Sequence, residues 1–110
     1  MEGQKLDSGK LPLGIVIQRQ FPNALKLIAE ASEYGHQKYK ETDGDYMNCS
    51  RLPNRKERYL NAMMRHILDS GLDLTHKDPE TNLMHITHAV WNGLQLLEAI
   101  NDESKKQKEG

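Results

Sequence analysis

Three polar side chains, those of His85, His88 and Asn92, lie at helical spacing in an otherwise apolar segment. Residues three and seven positions apart lie nearly above one another on a helix, so the three share one face. Burying such groups without hydrogen-bond partners costs about 1–3 kcal/mol each. A ligand, a metal or another helix must therefore supply the partners. A polar network or ligand pocket and a transition-metal site both remain open, and His66 would be a further imidazole ligand in the latter.

Residues 58–69 carry a second set of polar groups. Arg58, Arg65 and Asp69 share one helical face, with His66 and Tyr59 between that face and the apolar stripe. Arginine suits phosphate binding because its planar guanidinium donates two parallel hydrogen bonds. The same residues are common on solvated helices, where an Arg65–Asp69 pair contributes under about 1 kcal/mol. The sequence is compatible with both interpretations.

Glu30 and Glu33 stand three residues apart and could hold a divalent metal, because carboxylate oxygens suit Mg²⁺ or Mn²⁺. A solvated face is the alternative, since two glutamates alone do not define a site. Lys38 is a candidate phosphate ligand. Gly35 costs about 1 kcal/mol relative to alanine inside a helix, and we expect it to allow a close approach to the backbone.

The elements that must position these groups are helices, because apolar residues recur at helical spacing and no strand alternation is present. Pro22 suits a first helical turn, Asn54 an N-cap and Gly71 a C-terminal cap. The predicted helices cover residues 22–39, 54–71 and 82–101. The chain is thus expected to be an all-α domain, a small bundle of three main helices. It divides into an irregular arm over 1–20, a helical domain over 21–101 and a frayed, charged, disordered tail over 102–110.

The third predicted helix is apolar nearly all round its axis. Trp91 and Leu94 fall away from the stripe formed by Ile86, Val90 and Ile100. Such a helix is normally buried on all sides, and two further helices cannot surround it. We therefore expect a homo-oligomer to complete the bundle.

Length and composition exclude several classes of protein. A chain of 110 residues supports one domain with a modest core. A net charge of -1 provides no overall field for a nucleic acid polymer or an anionic membrane. The single cysteine, Cys49, excludes an intrachain disulfide. We find neither a signal peptide nor the roughly 20 apolar residues of a membrane helix, so a cytoplasmic protein is expected.

Four short segments occur in a characteristic order across residues 10–100. They are Glu33-Tyr-Gly-His-Gln-Lys-Tyr39, Arg58-Tyr-Leu-Asn-Ala-Met-Met-Arg-His66, Asp78-Pro-Glu-Thr81, and His85-Ile-Thr-His-Ala89 with Asn92. Together they resemble a family of small phage and bacterial proteins, the dATP/dGTP diphosphohydrolases, which are distantly MazG-like. The resemblance implies an oligomeric all-α fold with a nucleotide bound between helices, in the host cytoplasm if a phage encodes the chain.

The same resemblance implies a reaction and a set of site residues. A dNTP would be cleaved to a dNMP and pyrophosphate with Mg²⁺ or Mn²⁺, which bridge phosphates and activate water. Glu30 and Glu33 would be catalytic and would hold metal together with Asp69. The nucleotide would be bound by the remaining polar residues, namely Tyr34, Lys38, Tyr39, Arg58, Arg65, His66, His85, His88 and Asn92.

Two other hypotheses use the same residues differently. The first is a non-catalytic sponge that sequesters a nucleotide or a cyclic-dinucleotide second messenger of antiphage defence and needs no metal. It is favoured because His85 and His88 stand where MazG-like enzymes would carry a second acidic pair. The second is a helical oligomer without a small ligand, in which the histidines only tie helices together.

Overall fold

The computed structural model of the chain describes residues 9–41 and 44–109, so positions 1–8 of the predicted arm and Gly110 of the predicted tail lie outside the described residues. The main elements are the helices α1 (Pro22–Lys38), α2 (Arg55–Ser70) and α3 (His85–Glu109). Two short helical segments, Gly14–Arg19 and Asn48–Ser50, accompany them. Within the described residues there is no strand, only an isolated bridge between Lys77 and Met84. The predicted all-α class is confirmed.

The ends of α1 and α2 agree with the sequence prediction. Pro22 begins α1, where its missing N–H is not needed. Gly71 follows α2 with φ +60° and ψ −134°, a conformation that residues with a side chain rarely adopt. Asn54 precedes α2, but its side chain makes no capping hydrogen bond. Its backbone is left-handed instead, with φ 55°, and asparagine tolerates this conformation better than most residues.

The start of α3 differs from the prediction. Helix α3 begins at His85 rather than near Asn82, because the preceding loop is closed by its own backbone hydrogen bonds. The amide of Asp78 donates to the carbonyl of Leu83 at 2.8 Å, and the amide of His85 donates to the carbonyl of His76 at 3.0 Å. Asn82 adopts a left-handed conformation with φ 61°, which a helix cannot contain.

The predicted frayed tail is also wrong over its described part, since α3 continues through Glu109. Asp102 accepts a hydrogen bond from Arg55 at 2.9 Å, and Glu103 pairs with Lys56. Both ion pairs attach the tail to the first turn of α2. The sequence prediction failed because it considered only the lack of apolar residues and not these partners on another helix.

The packing of the domain centres on α3, which contacts α2 along its length and α1 over a smaller area. Gly93 permits the approach of α2, because a Cβ placed there would lie 3.3 Å from the sulfur of Met63. Toward α1, the indole N–H of Trp91 donates to the hydroxyl of Ser32 at 2.7 Å. The buried apolar side chains among the described residues are mostly small: Ala31, Tyr59, Ala89 and Ala99.

Several large apolar side chains of α3, including two from the predicted stripe, are exposed in the single chain. Val90, Leu97 and Ile100 keep 48%, 64% and 45% of their surface accessible. The radius of gyration is 17.1 Å, whereas a compact chain of this length would have about 13 Å. The apolar stripe of α3 is therefore present but lacks a cover within these residues. No helix in the described ranges is both long and apolar enough to cross a membrane.

We expect Ser32→Ala to lower the free energy of unfolding by about 1 kcal/mol, because the half-buried indole N–H of Trp91 loses its acceptor. Ser104→Ala, at an exposed position of α3, is the matched control and should show only the helix-propensity gain of about 0.5 kcal/mol. Urea denaturation of both variants measures the difference. An equal gain in both would contradict a stabilising link between α1 and α3.

Candidate functional site

A cavity of about 420 Å³ lies between α1, α2, α3 and the loop that precedes α3. We call it the histidine chamber. Each of these four segments contributes polar groups to its wall. These groups are Tyr34, Lys38 and Tyr39 from α1 and its end, Arg65, His66 and Asp69 from α2, Asp78, Glu80 and Thr81 from the loop, and His85, His88 and Asn92 from α3.

The imidazoles of the chamber are hydrogen-bonded to one another and to the loop. Nδ1 of His66 lies 2.9 Å from Nδ1 of His85, so one ring must donate and the other must accept. Nε2 of His88 lies 2.6 Å from the hydroxyl of Thr81. The ring of His88 also stacks on that of His66, with centroids 4.8 Å apart. Helices α2 and α3 therefore meet through polar groups at this point.

The electrostatic environment favours the neutral form of two of these rings. Burial lowers the pKa of His66 below its ordinary value of 6.5, and the neighbouring His88 and His85 lower it further. Burial also lowers the pKa of His88, although the carboxylate of Asp78, 3.6 Å away, opposes the shift. Neutral imidazoles can both donate and accept hydrogen bonds, which suits them to a polar ligand.

Two residues of the predicted polar face are the most buried in the chamber. His85 is 4% exposed and Asn92 is 6% exposed. The partner of His85 comes from another helix, as described above. The amide of Asn92 donates to the carbonyl of His88 in its own helix at 2.8 Å. The sequence left a polar network as one alternative for these residues. The structure forms such a network within the chain.

A clasp between α1 and the loop forms one edge of the chamber. The hydroxyl of Tyr34 and the ammonium of Lys38 both donate to Oε1 of Glu80, at 3.1 Å and 2.9 Å. Lys38 and then Tyr34 lower the pKa of Glu80 through these bonds, and Glu80 raises the pKa of Lys38. We call this set the Glu80 clasp. It holds the loop against α1.

Three loop residues were not assigned to the site from the sequence. Asp78, Glu80 and Thr81 all line the chamber. The carboxylate of Asp78 accepts hydrogen bonds from the amide of Glu80 and the hydroxyl of Thr81, both at 3.3 Å. The sequence feature that could have identified them is the motif Asp78-Pro-Glu-Thr81, which lies shortly before the helix that begins at His85.

The structure does not bring Glu30, Glu33 or Arg58 into the chamber. All three are exposed, and Glu33 accepts hydrogen bonds from Gln37 at 2.7 Å and Tyr46 at 2.8 Å. These two bonds lower the pKa of Glu33. The role of Glu30 and Glu33 in catalysis stays a prediction.

A metal site does not follow from the described part of the chain. Within it, no group of three or more histidine, cysteine, aspartate or glutamate side chains could hold a metal ion. The predicted set of Glu30, Glu33 and Asp69 therefore does not come together as a metal site. The chamber imidazoles contact one another but are not arranged as metal ligands. These residues do not fit the Mg²⁺ or Mn²⁺ that the resemblance implies, so we derive no catalytic step through a metal from them.

Fold and site together define an all-α protein with a polar chamber of imidazole, tyrosine and basic groups between its helices. The chain matches the family described as dATP/dGTP diphosphohydrolase, N-terminal, over residues 1–109. It belongs to that family, and the resemblance drawn from the motifs is confirmed.

A curated relative supports the same assignment. The chain is 32% identical over 97 residues to a protein of Salmonella phage PMBT28 named dATP/dGTP diphosphohydrolase. The match covers 88% of this chain but 29% of the relative, so the chain spans less than a third of that protein. No solved structure matches the chain significantly. The distant likeness to MazG-like enzymes stays a prediction.

We expect the free energy of unfolding to fall as the pH is lowered from 7 to about 5.5. His66 and His88 have lowered pKa values in the folded chain, so the unfolded chain binds more protons once the pH reaches about 6.5. Urea denaturation across this range measures the loss. The double variant His66→Asn/His88→Asn should lose less stability on acidification, and an unchanged slope would contradict the assignment.

Proposed function

We propose that this chain is a nucleotide-binding protein that acts as a purine dNTP diphosphohydrolase and cleaves dATP or dGTP to a dNMP and pyrophosphate. Membership of the family and the name of the phage relative support the proposal. The chain spans 29% of that relative, and the cleavage reaction is proposed for it on the family and on the relative's name. Mg²⁺ or Mn²⁺ is proposed as its cofactor on the resemblance alone.

The observation that carries the proposal is the gathering of cationic, imidazole and tyrosine groups from separate helices in the histidine chamber. Arg65 lines the chamber and makes no ion pair with any residue that the structure describes. Its guanidinium can therefore bind a phosphate through two parallel hydrogen bonds. Lys38 lies across the chamber in the Glu80 clasp, where a phosphate would compete with the carboxylate.

A second candidate function is sequestration without catalysis. It is supported by the absence of a metal-holding group among residues 9–41 and 44–109 and by the imidazoles that occupy the chamber wall. A sponge needs a preformed polar cavity and no cofactor. Its ligand would be a nucleotide or a cyclic dinucleotide of antiphage defence.

We also propose that the protein forms a homo-oligomer. Exposed apolar side chains recur at helical spacing on one face of each of two helices. They are Leu60, Met64 and Ile67 on α2, and Val90, Leu94 and Leu97 on α3. Exposed apolar area of this kind is typical of an interface, and the large radius of gyration supports the same interpretation.

The two functions are separated by incubating the purified protein with dNTPs and cyclic dinucleotides in Mg²⁺ or Mn²⁺, followed by chromatography before and after heat denaturation. We expect dATP and dGTP to yield dNMP and pyrophosphate. A ligand that leaves solution and returns intact on heating would establish sequestration instead. Nucleotides that remain free and intact throughout would contradict both functions.

In a calorimetric titration with dATP, Arg65→Met should weaken binding about tenfold or more, because a charge-assisted hydrogen bond contributes about 1.5–3 kcal/mol. Lys26→Met is the matched control, since it removes one positive charge from an exposed position of α1 outside the chamber. Equal dATP affinity in the two variants would contradict a role for Arg65 in the site.

Sedimentation velocity at micromolar concentration tests the oligomer. We expect the wild-type chain to sediment as a dimer or larger species. Leu97→Glu should shift it toward the monomer, because a carboxylate in the apolar face opposes burial. Leu72→Glu, in the loop after α2, is the control and should leave the distribution unchanged. A wild-type chain that is only monomeric would contradict self-association.

A further inference from the structure

The loop before α3 contacts His88 through the hydroxyl of Thr81. Oγ1 of Thr81 lies 2.6 Å from Nε2 of His88 and 3.3 Å from Oδ2 of Asp78. The same oxygen accepts a hydrogen bond from the amide of Leu83 at 3.2 Å. Three polar atoms thus share one hydroxyl group, and the number of hydrogen bonds that a hydroxyl can make decides where the protons lie.

One arrangement of protons satisfies all three partners. A hydroxyl donates one hydrogen bond and accepts two, whereas a carboxylate only accepts. Thr81 therefore donates its proton to Asp78. Its oxygen then accepts one hydrogen bond from the amide of Leu83 and one from His88. The second of these bonds requires the proton of the neutral imidazole to be on Nε2.

The opposite arrangement is unfavourable. If Thr81 donated to Nε2 of His88, that nitrogen and Oδ2 of Asp78 would lie 3.6 Å apart without a proton between them. The two side chains are only 12% and 16% exposed, so water screens the repulsion between the lone pair and the carboxylate weakly. Asp78 and Thr81 together thus select the tautomer of His88 that is protonated on Nε2.

In this tautomer Nδ1 of His88 keeps its lone pair. Nδ1 makes no hydrogen bond to any residue that the structure describes. It also retains accessible surface, because Nε of Arg55 is the one buried side-chain nitrogen or oxygen without a partner in the described ranges. His88 lines the histidine chamber. The wall of the chamber therefore carries a hydrogen-bond acceptor at this position.

An acceptor at this position suits a ligand group that carries a proton. Burial lowers the pKa of His88, and the carboxylates of Asp78 and Glu80 oppose that shift, so their negative charge reaches the ring. Phosphate oxygens are negatively charged acceptors, and both properties disfavour them beside Nδ1. The nucleoside part of dATP carries donors instead, namely the sugar hydroxyl and the amino group of the base.

We propose that Asp78 and Thr81 hold His88 in the tautomer protonated on Nε2, so that Nδ1 accepts a hydrogen bond from the nucleoside part of a bound purine deoxynucleotide. The donor is the sugar hydroxyl or the amino group of the base. The inference rests on the proposed nucleotide binding and names a recognition contact in that site. Thr81 and Asp78 are positioning residues, because they act through His88.

Nuclear magnetic resonance of the ¹⁵N-histidine-labelled protein tests the tautomer directly. We expect His88 to show a protonated Nε2 and an unprotonated Nδ1, with the signals assigned by their loss in His88→Asn. Thr81→Ser keeps the hydroxyl and should preserve this pattern, whereas Thr81→Val should shift it toward a mixture of tautomers. Thr75→Val is the matched control, because it removes another threonine–aspartate hydrogen bond of the same loop, 2.7 Å to Asp73, outside the chamber.

Calorimetry tests the contact with the ligand. We expect Thr81→Val to weaken dATP binding about three- to tenfold, the factor for one neutral hydrogen bond. Thr81→Ser and Thr75→Val should bind dATP as the wild-type chain does. Two analogues identify the donor: 2′,3′-dideoxy-ATP lacks the sugar hydroxyl, and the triphosphate of purine 2′-deoxyriboside lacks the amino group. The analogue without the donor should bind the wild-type chain and Thr81→Val equally well.

Three results would overturn the inference while the proposed function stands. The first is a wild-type His88 that carries its proton on Nδ1. The second is a Thr81→Val variant that binds dATP as tightly as the wild-type chain. The third is an equal loss of affinity for dATP and both analogues in Thr81→Val, which indicates a disturbed loop. A wild-type chain that binds none of the three nucleotides would remove the proposed function and the inference together.

Discussion

The close packing of α2 against α3 is the constraint on which the rest of the structure depends. Gly93 allows the approach at Met63, and farther along the same contact His66 and His85 meet through their Nδ1 atoms at 2.9 Å. Because the contact is polar at that end, it leaves imidazoles on the surface of a cavity rather than in a closed core. The same packing places Arg65 beside them.

The opposite edge of the chamber is held by weaker forces. The Glu80 clasp joins α1 to the loop through hydrogen bonds among exposed side chains. Exposed ion pairs contribute about 1 kcal/mol or less, so the clasp adds little to the stability of the fold. A part-buried polar contact between α2 and α3 thus bounds the chamber at one point, and an exposed clasp bounds it at another.

Local rules predicted most of the helices and much of the chamber. Pro22, Asn54 and Gly71 mark the ends of α1 and α2 as expected, and the spacing of His85, His88 and Asn92 places them on one face that is indeed mostly buried. The errors lie where partners are distant in the sequence. The tail is helical because α2 holds it through Arg55 and Lys56, and this attachment leaves no local signature.

The sequence by itself determined the helical class, the family and the polar residues that face one side of each helix, because periodicity and motifs are local properties of the chain. Only the tertiary structure decided which of these faces meet. It turned Glu33 toward Tyr46 and away from the chamber, and it brought Glu80 onto Lys38 across more than forty residues. The angle and rotation at which helices pack are set by side chains on both partners, and a single segment contains half of that information.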